Sequence, residues 1–166
     1  MAIISYEEVP QLRETHAGKL LVFVSGSFDL THAGHVRFLK GAKELGDVLM
    51  VAVGPDDQIC GIKGGSRPVV PEGARLFLVS ELRPVDYAFL NPPRVSEELL
   101  APIREMLLAA QPDIWAINHD ASQMSFRKKL AAELGIILCV LNLRREDPEW
   151  AEMSTTSIIE KVRGSV

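Results

Sequence analysis

From Lys19 onward, short apolar runs alternate with amphipathic stretches. Leu20-Leu21-Val22-Phe23-Val24 is continuously apolar, and the reading places the first strand over Lys19–Ser25. A helical pattern follows over Gly34–Leu45. Asp47–Val53 is a second apolar run, too short for a helix and ended by Gly54-Pro55. Further strands are expected over Val85–Leu90, Asp113–Ile117 and Ile136–Leu141. Helices are expected over Pro71–Leu82, from Ser96 to Ala110, over Ala121–Leu134 and over Thr155–Arg163. Their ends carry ordinary signals: Pro71 in a first turn, Ser96 (with Glu97 and Glu98) and Ser154 as caps, Gly135 past a last turn. Asp56–Val70, rich in Gly, Pro and charge, reads as a long loop. Continuous rather than alternating apolar strands fit a sheet covered on both faces. Strict β-α alternation predicts an α/β fold, a Rossmann-like open parallel five-stranded sheet with helices on both faces.

Bulk properties narrow the partners. The chain has 166 residues, 47% hydrophobic and 24% charged, which suits a single domain over 1–166 with a sizeable core. Its formal net charge of -4 does not suggest a nucleic-acid partner, which would show a basic face, and is compatible with a local basic pocket. No apolar run approaches the ~20 residues that span a bilayer. The acidic start, Met1 to Glu8, lacks a secretory pattern. The expected location is therefore cytoplasmic. Cys60 and Cys139 have no metal-ligand spacing and are expected as reduced thiols.

The chemistry concentrates where the first strand turns into the first helix, at Ser25-Gly26-Ser27-Phe28-Asp29-Leu30-Thr31-His32-Ala33-Gly34-His35. A spacing of three puts His32 and His35 on one face of a helix entry, with Gly34 between them. Such a junction collects phosphates, because free backbone N–H groups and the helix dipole favour negative charge. On the residues alone, a second reading also stands: one histidine caps the helix and the other is buried. Lys63 and Arg67 lie in the Gly-rich stretch Gly61-Ile62-Lys63-Gly64-Gly65-Ser66-Arg67, an arm able to bring positive charge onto phosphate. Arg75 either reaches the same ligand or pairs with Glu72 on its own helix. Ser154-Thr155-Thr156 offers hydroxyls and N–H groups at a further helix start.

Gly26-Ser27-Phe28-Asp29-Leu30-Thr31-His32-Ala33-Gly34-His35 resembles the Gly-x-Phe-Asp-x-x-His-x-Gly-His element of the cytidylyltransferase-like nucleotidyltransferase superfamily. Lys63-Gly64-Gly65-Ser66-Arg67-Pro68, then Arg75 with Val85-Asp86-Tyr87, resemble segments of its heptose-phosphate adenylyltransferase branch. Ser154-Thr155-Thr156-Ser157-Ile158-Ile159 resembles the superfamily's Ser-Thr-Thr-x-Ile-Ile. The order is the same, and the resemblance spans about Lys19 to Arg163.

The resemblance implies a nucleotidyltransferase that joins a nucleoside monophosphate to a phosphorylated small-molecule acceptor, such as a sugar phosphate, and releases pyrophosphate. It implies His32, His35 and Lys63 as catalytic residues. Gly26, Ser27, Phe28, Asp29, Gly34, Asp120, Ser154, Thr155 and Thr156 would bind the nucleotide. Arg67 and Arg75 are further candidates for phosphate contact. Asp29 is expected to fix the turn, and no protein metal centre is expected: Mg²⁺ arrives on the nucleotide.

Two departures matter. The fourth strand ends Ile117-Asn118-His119-Asp120, where the heptose-type branch has a Lys-Gly-Gly-Asp-like end. Glu149-Trp150-Ala151-Glu152-Met153 replaces the Arg-x-x-Gly of the cytidylyl branches, which tilts the expected nucleotide from CTP to ATP. Arg144–Glu152 reads as a substrate-side loop. The alternatives are a cytidylyltransferase acting on a polyol or alcohol phosphate, and a non-catalytic nucleotide-binding sensor. A homo-oligomer remains an open expectation.

Overall fold

The computed structural model describes residues 2–92, 101–142 and 153–164. Strands are β1 (Ala2–Ile3), β2 (Leu21–Gly26), β3 (Val48–Val53), β4 (Tyr87–Leu90), β5 (Ile114–Asn118) and β6 (Ile137–Leu141). Helices are α1 (Val9–Thr15), α2 (Ala33–Lys43), α3 (Asp56–Lys63), α4 (Glu72–Ser80), α5 (Ala101–Ala110), α6 (Met124–Leu134) and α7 (Thr155–Arg163). All six strands form one parallel sheet in the order β1-β4-β3-β2-β5-β6. The five expected strands are present, with ends shifted by one or two residues. A sixth, β1, adds to the outer edge of β4 through only Ala2 and Ile3.

Alternation along the strands sends side chains into two cores. Leu21 and Phe23 of β2 face one layer with Met50 and Trp115, closed by α1, α5 and α6 through Leu12, Met106 and Leu130. Val22 and Val24 face the opposite layer with Leu49 and Val51, closed by α2 and α4 through Leu39 and Val79. Every residue of β3 is buried, which explains its unbroken apolar sequence.

The segment expected as one long loop is different. Its first part is α3, with Pro55 at the N-cap, Asp56 and Asp57 in the first turn and Lys63 in the last. These charges complement the helix dipole. Gly64, at φ 90°, ends the helix where an L side chain would be strained. The expected Ser96 cap, Trp150 and the 144–152 loop lie outside the described residues.

Strand order reverses beside β2. α2 leaves β2 toward one face, and α6 leaves β5 toward the other. The two turns diverge and open a crevice beyond the carboxyl ends of β2 and β5, where open α/β sheets bind ligands.

Candidate active site

The β2–α2 turn is held under strain. Phe28 and Leu30 have positive φ, 48° and 47°, although neither is glycine. Such conformations cost about 1–3 kcal/mol each and persist only where the surroundings fix them. Here Phe28 is 3% exposed and packs in the core, and its carbonyl accepts the Thr31 hydroxyl at 2.9 Å. Asp29 is fully buried and accepts N–H groups of Val69 and Val70 at 3.0 Å and Arg67 Nε at 2.7 Å. Burial is the largest single influence on its carboxyl and opposes ionisation. Together, the Val70 and Val69 N–H groups and Arg67 outweigh it and hold the pKa below the ordinary carboxylate value. Asp29 therefore fixes the turn to the segment after α3. Thr155 Oγ1 donates to the Asp29 carbonyl at 2.8 Å, which ties the start of α7 to the same turn.

The two histidines cap their own helix. His32 is the N-cap of α2, and its Nδ1 accepts the Gly34 N–H at 3.1 Å. His35 Nδ1 accepts the His32 N–H at 3.3 Å, and the ring centroids lie 4.0 Å apart. Backbone donors at both Nδ1 atoms assign the neutral-ring proton to Nε2. Burial, then the proximity of His32 and Lys63, depress the His35 pKa from 6.5 to about 4. His35 is therefore a neutral donor at pH 7. Gly34 has a defined reason: a Cβ there would stand 2.9 Å from His32 Cε1. The missing side chain makes room first for the folded-back His32 ring. The two sequence readings of this pair thus merge, since the histidines cap the helix and also line the crevice.

Lys63 ends α3 and points its Nζ at Ser27 Oγ, 3.2 Å away. Burial, followed by Arg67 nearby, lowers its pKa. The two arginines expected near phosphate sit elsewhere. Arg75 is fully buried, with Nε on the Val70 carbonyl, one terminal nitrogen on the Ser27 carbonyl and the other on Asp56 at 2.6 Å. Its partner is Asp56, not Glu72. Arg67 is committed to Asp29, and neither arginine lines the crevice. Both shape the site from behind.

At α7, Ser154 and Ser157 exchange side-chain and backbone hydrogen bonds at 3.0 and 2.9 Å, a reciprocal cap. Ser154, Thr155 and Thr156 line the crevice. Asp120 lines it from the β5 end, whereas His119 is exposed and turns its Nδ1 to Asn118 Oδ1 at 3.1 Å. The histidine that stands where the resembled heptose-type branch has a glycine thus does not line the cleft. The cleft encloses about 430 Å³, and Gly26, Ser27 and Phe28 complete its β2 wall. Sequence reading missed Arg37 and Arg127, which also line it. Among the described residues, no three His, Cys, Asp or Glu side chains gather as a metal site.

A parallel sheet with a His-x-Gly-His helix entry at its switch point, facing a second capped helix, defines a nucleotidyltransferase class of site. The chain belongs to the cytidylyltransferase-like family, whose model matches residues 23–161. It is 37% identical over 165 residues to the bifunctional protein HldE of a Nitratiruptor species, covering 97% of this chain and 32% of that protein. It therefore spans about a third of the length of that relative. It is 35% identical to the FAD synthase of Archaeoglobus profundus over 144 residues, 85% of this chain and 84% of that one. Among solved structures, the lipopolysaccharide core biosynthesis protein from Thermoplasma volcanium is similar at 31% identity and a TM-score of 0.58. That match covers 75% of this chain and 96% of the other. The chain is thus a nucleotidyltransferase by family. Among the described residues, no helix is long and apolar enough to cross a membrane.

Proposed function

We propose that this chain transfers AMP from Mg·ATP to the phosphate of a small phosphorylated acceptor and releases pyrophosphate. The observation that carries this reading is convergence. The α2 N-terminus with His32 and His35, the α7 N-terminus with Thr155 and Thr156, and Lys63 all face one cleft. Two helix N-termini of this kind suit a polyphosphate.

In the reaction, an acceptor phosphate oxygen attacks the α-phosphorus. The bond from that phosphorus to the bridging oxygen of the β-phosphate breaks, and magnesium pyrophosphate leaves. Catalysis of this kind is positioning and electrostatic stabilisation. His32 and neutral His35 donate from Nε2 to α- and β-phosphate oxygens as charge moves to the leaving group. Pyrophosphate leaves as a stable anion, so no imidazolium is needed as an acid. Lys63 adds a cation, and the α7 N–H groups hold the terminal phosphates. Gly26, Ser27, Phe28 and Gly34 shape the nucleotide wall. Asp29 holds the turn, and Asp120 faces the ribose or metal side. Mg²⁺ enters as part of the substrate. An ATP-dependent enzyme with two unbridged cysteines fits the cytoplasm.

Two acceptors call for direct comparison. The HldE similarity favours a sugar phosphate. The FAD synthase similarity, which covers 84% of that protein, favours flavin mononucleotide. The test begins with thermal shifts for Mg·ATP and Mg·CTP, since a ligand at 100 times its Kd stabilises by ~2.7 kcal/mol. Pyrophosphate release is then followed with sugar 1-phosphates and with flavin mononucleotide. ATP-dependent release with either acceptor supports the reading. Nucleotide binding without turnover across the panel favours a sensor, and preference for CTP favours a cytidylyltransferase.

A further inference from the structure

Three of the buried or partly buried arginines in this fold are neutralised. Arg13 pairs with Asp113, Arg67 with Asp29 and Arg75 with Asp56. Arg127 differs. It lies in the first turn of α6, on the β5 side of the cleft, and is partly buried. Its Nε donates to the Ser122 carbonyl at 2.9 Å, and its guanidinium carbon lies 5.3 Å from the ring centroid of the fully buried Trp115. These contacts fix the plane of the fork. They leave Nη1 and Nη2 without a hydrogen bond or carboxylate among the described residues. Burial lowers its pKa, so the charge is held there at a cost. An oriented, partly desolvated and unpaired guanidinium is a receptor for a planar pair of oxygens.

We infer that Arg127 anchors the acceptor's phosphomonoester, the group that attacks the nucleotide. The inference rests on the adenylyl-transfer reading and deepens it. The choice of acceptor over triphosphate follows from placement. His32, His35, Lys63 and the start of α7 are bound to one another around the β2–α2 turn, through Asp29, Ser27 and Thr155. Arg127 reaches in from the β5–α6 turn across the switch point. In-line displacement needs the nucleophile opposite the leaving pyrophosphate, so a cation across from the polyphosphate cradle holds the incoming phosphate.

The test is isothermal titration of inorganic phosphate into protein saturated with Mg²⁺ and α,β-methylene-ATP, comparing wild type, Arg127→Met and Arg127→Lys. Nucleotide affinity and acceptor KM are measured alongside. A charge-assisted hydrogen bond is worth enough to expect a ~10–100-fold weaker phosphate affinity and a matching rise in acceptor KM in Arg127→Met. Arg127→Lys should recover part of both, with nucleotide affinity unchanged within ~3-fold. Weakened nucleotide binding with unchanged phosphate affinity overturns the inference. So does a fall in Tm with both affinities intact, which would leave only the stack on Trp115. If wild type binds no nucleotide, the adenylyl-transfer reading fails. Phosphate titrated into the nucleotide-free protein then still reads Arg127, and equal affinity in wild type and Arg127→Met overturns its role.

Discussion

Acidification should expose the burial of His35 as a loss of stability. The ring has a folded-state pKa of about 4 against an ordinary 6.5, with burial as the main cause and the proximity of His32 and Lys63 adding to it. Its depressed value means the unfolded chain binds the proton first. Stability from the neutral ring is therefore complete above pH 6.5 and is lost progressively between 6.5 and about 4. At pH 4.5, His35 is almost fully protonated in the unfolded chain and only about a quarter protonated in the fold. Linkage then predicts a loss of roughly 2.5 kcal/mol between pH 7.5 and 4.5 from this residue alone. The control is His35→Asn, whose side-chain oxygen can still accept the His32 N–H but does not titrate. Urea unfolding of both proteins across this range measures the difference. Wild type should lose ~2–3 kcal/mol more than the variant on acidification. Parallel curves, within ~0.5 kcal/mol, would refute a buried neutral His35.

Other consequences concern the scaffold around the cleft. Gly34→Ala places a methyl group 2.9 Å from His32 Cε1, so the ring must swing away. Turnover should fall ~10²–10³-fold, the usual loss for a displaced transition-state donor, with Tm little changed; intact kcat would contradict this. Asp29→Asn leaves Arg67 as an uncompensated buried cation and should cost ~3–5 kcal/mol in chemical denaturation. Lys63→Met should lower kcat/KM for the nucleotide ~10–100-fold without altering the unfolding midpoint, since among the described residues Lys63 holds only Ser27 Oγ.

How far the sequence could be read depended on whether local pattern or long-range contact decides a role. The β2 and β3 strands were plain because both faces are buried, and the cap at Ser154 was plain because capping is local chemistry. α3 was obscured by Gly61 and the Gly64-Gly65 pair, so its two turns read as part of a loop. β1 has two residues and no periodicity to detect. Spacing alone puts His32 and His35 at one helix entry, but their tautomer depends on backbone donors that spacing does not specify. Arg75 resembled a ligand-contacting arginine, and only the fold brings Ser27, Asp56 and Val70 around it. Arg127 was missed because Arg127-Lys128-Lys129 reads as a solvated basic face. Only contact with Trp115 and Ser122 separates it from its neighbours.

The placement of the histidines has a mechanistic corollary. With His35 neutral at pH 7, two rings 4.0 Å apart can both donate hydrogen bonds without placing two like charges together. The strained Phe28–Leu30 turn fixes that pair before substrate arrives, because Asp29, Thr31 and Thr155 hold its backbone from three directions. Preorganisation of this kind spares reorganisation during the reaction.

The central claim is transfer of AMP through attack on the α-phosphorus, and ³¹P NMR of the reaction with a phosphorylated acceptor tests it most directly. With Mg·ATP, the account predicts one pyrophosphate and one AMP-linked diphosphate product for each ATP consumed, and almost none of either from His35→Ala. Appearance of ADP or free phosphate as the primary product, or equal product yield from His35→Ala, would contradict it.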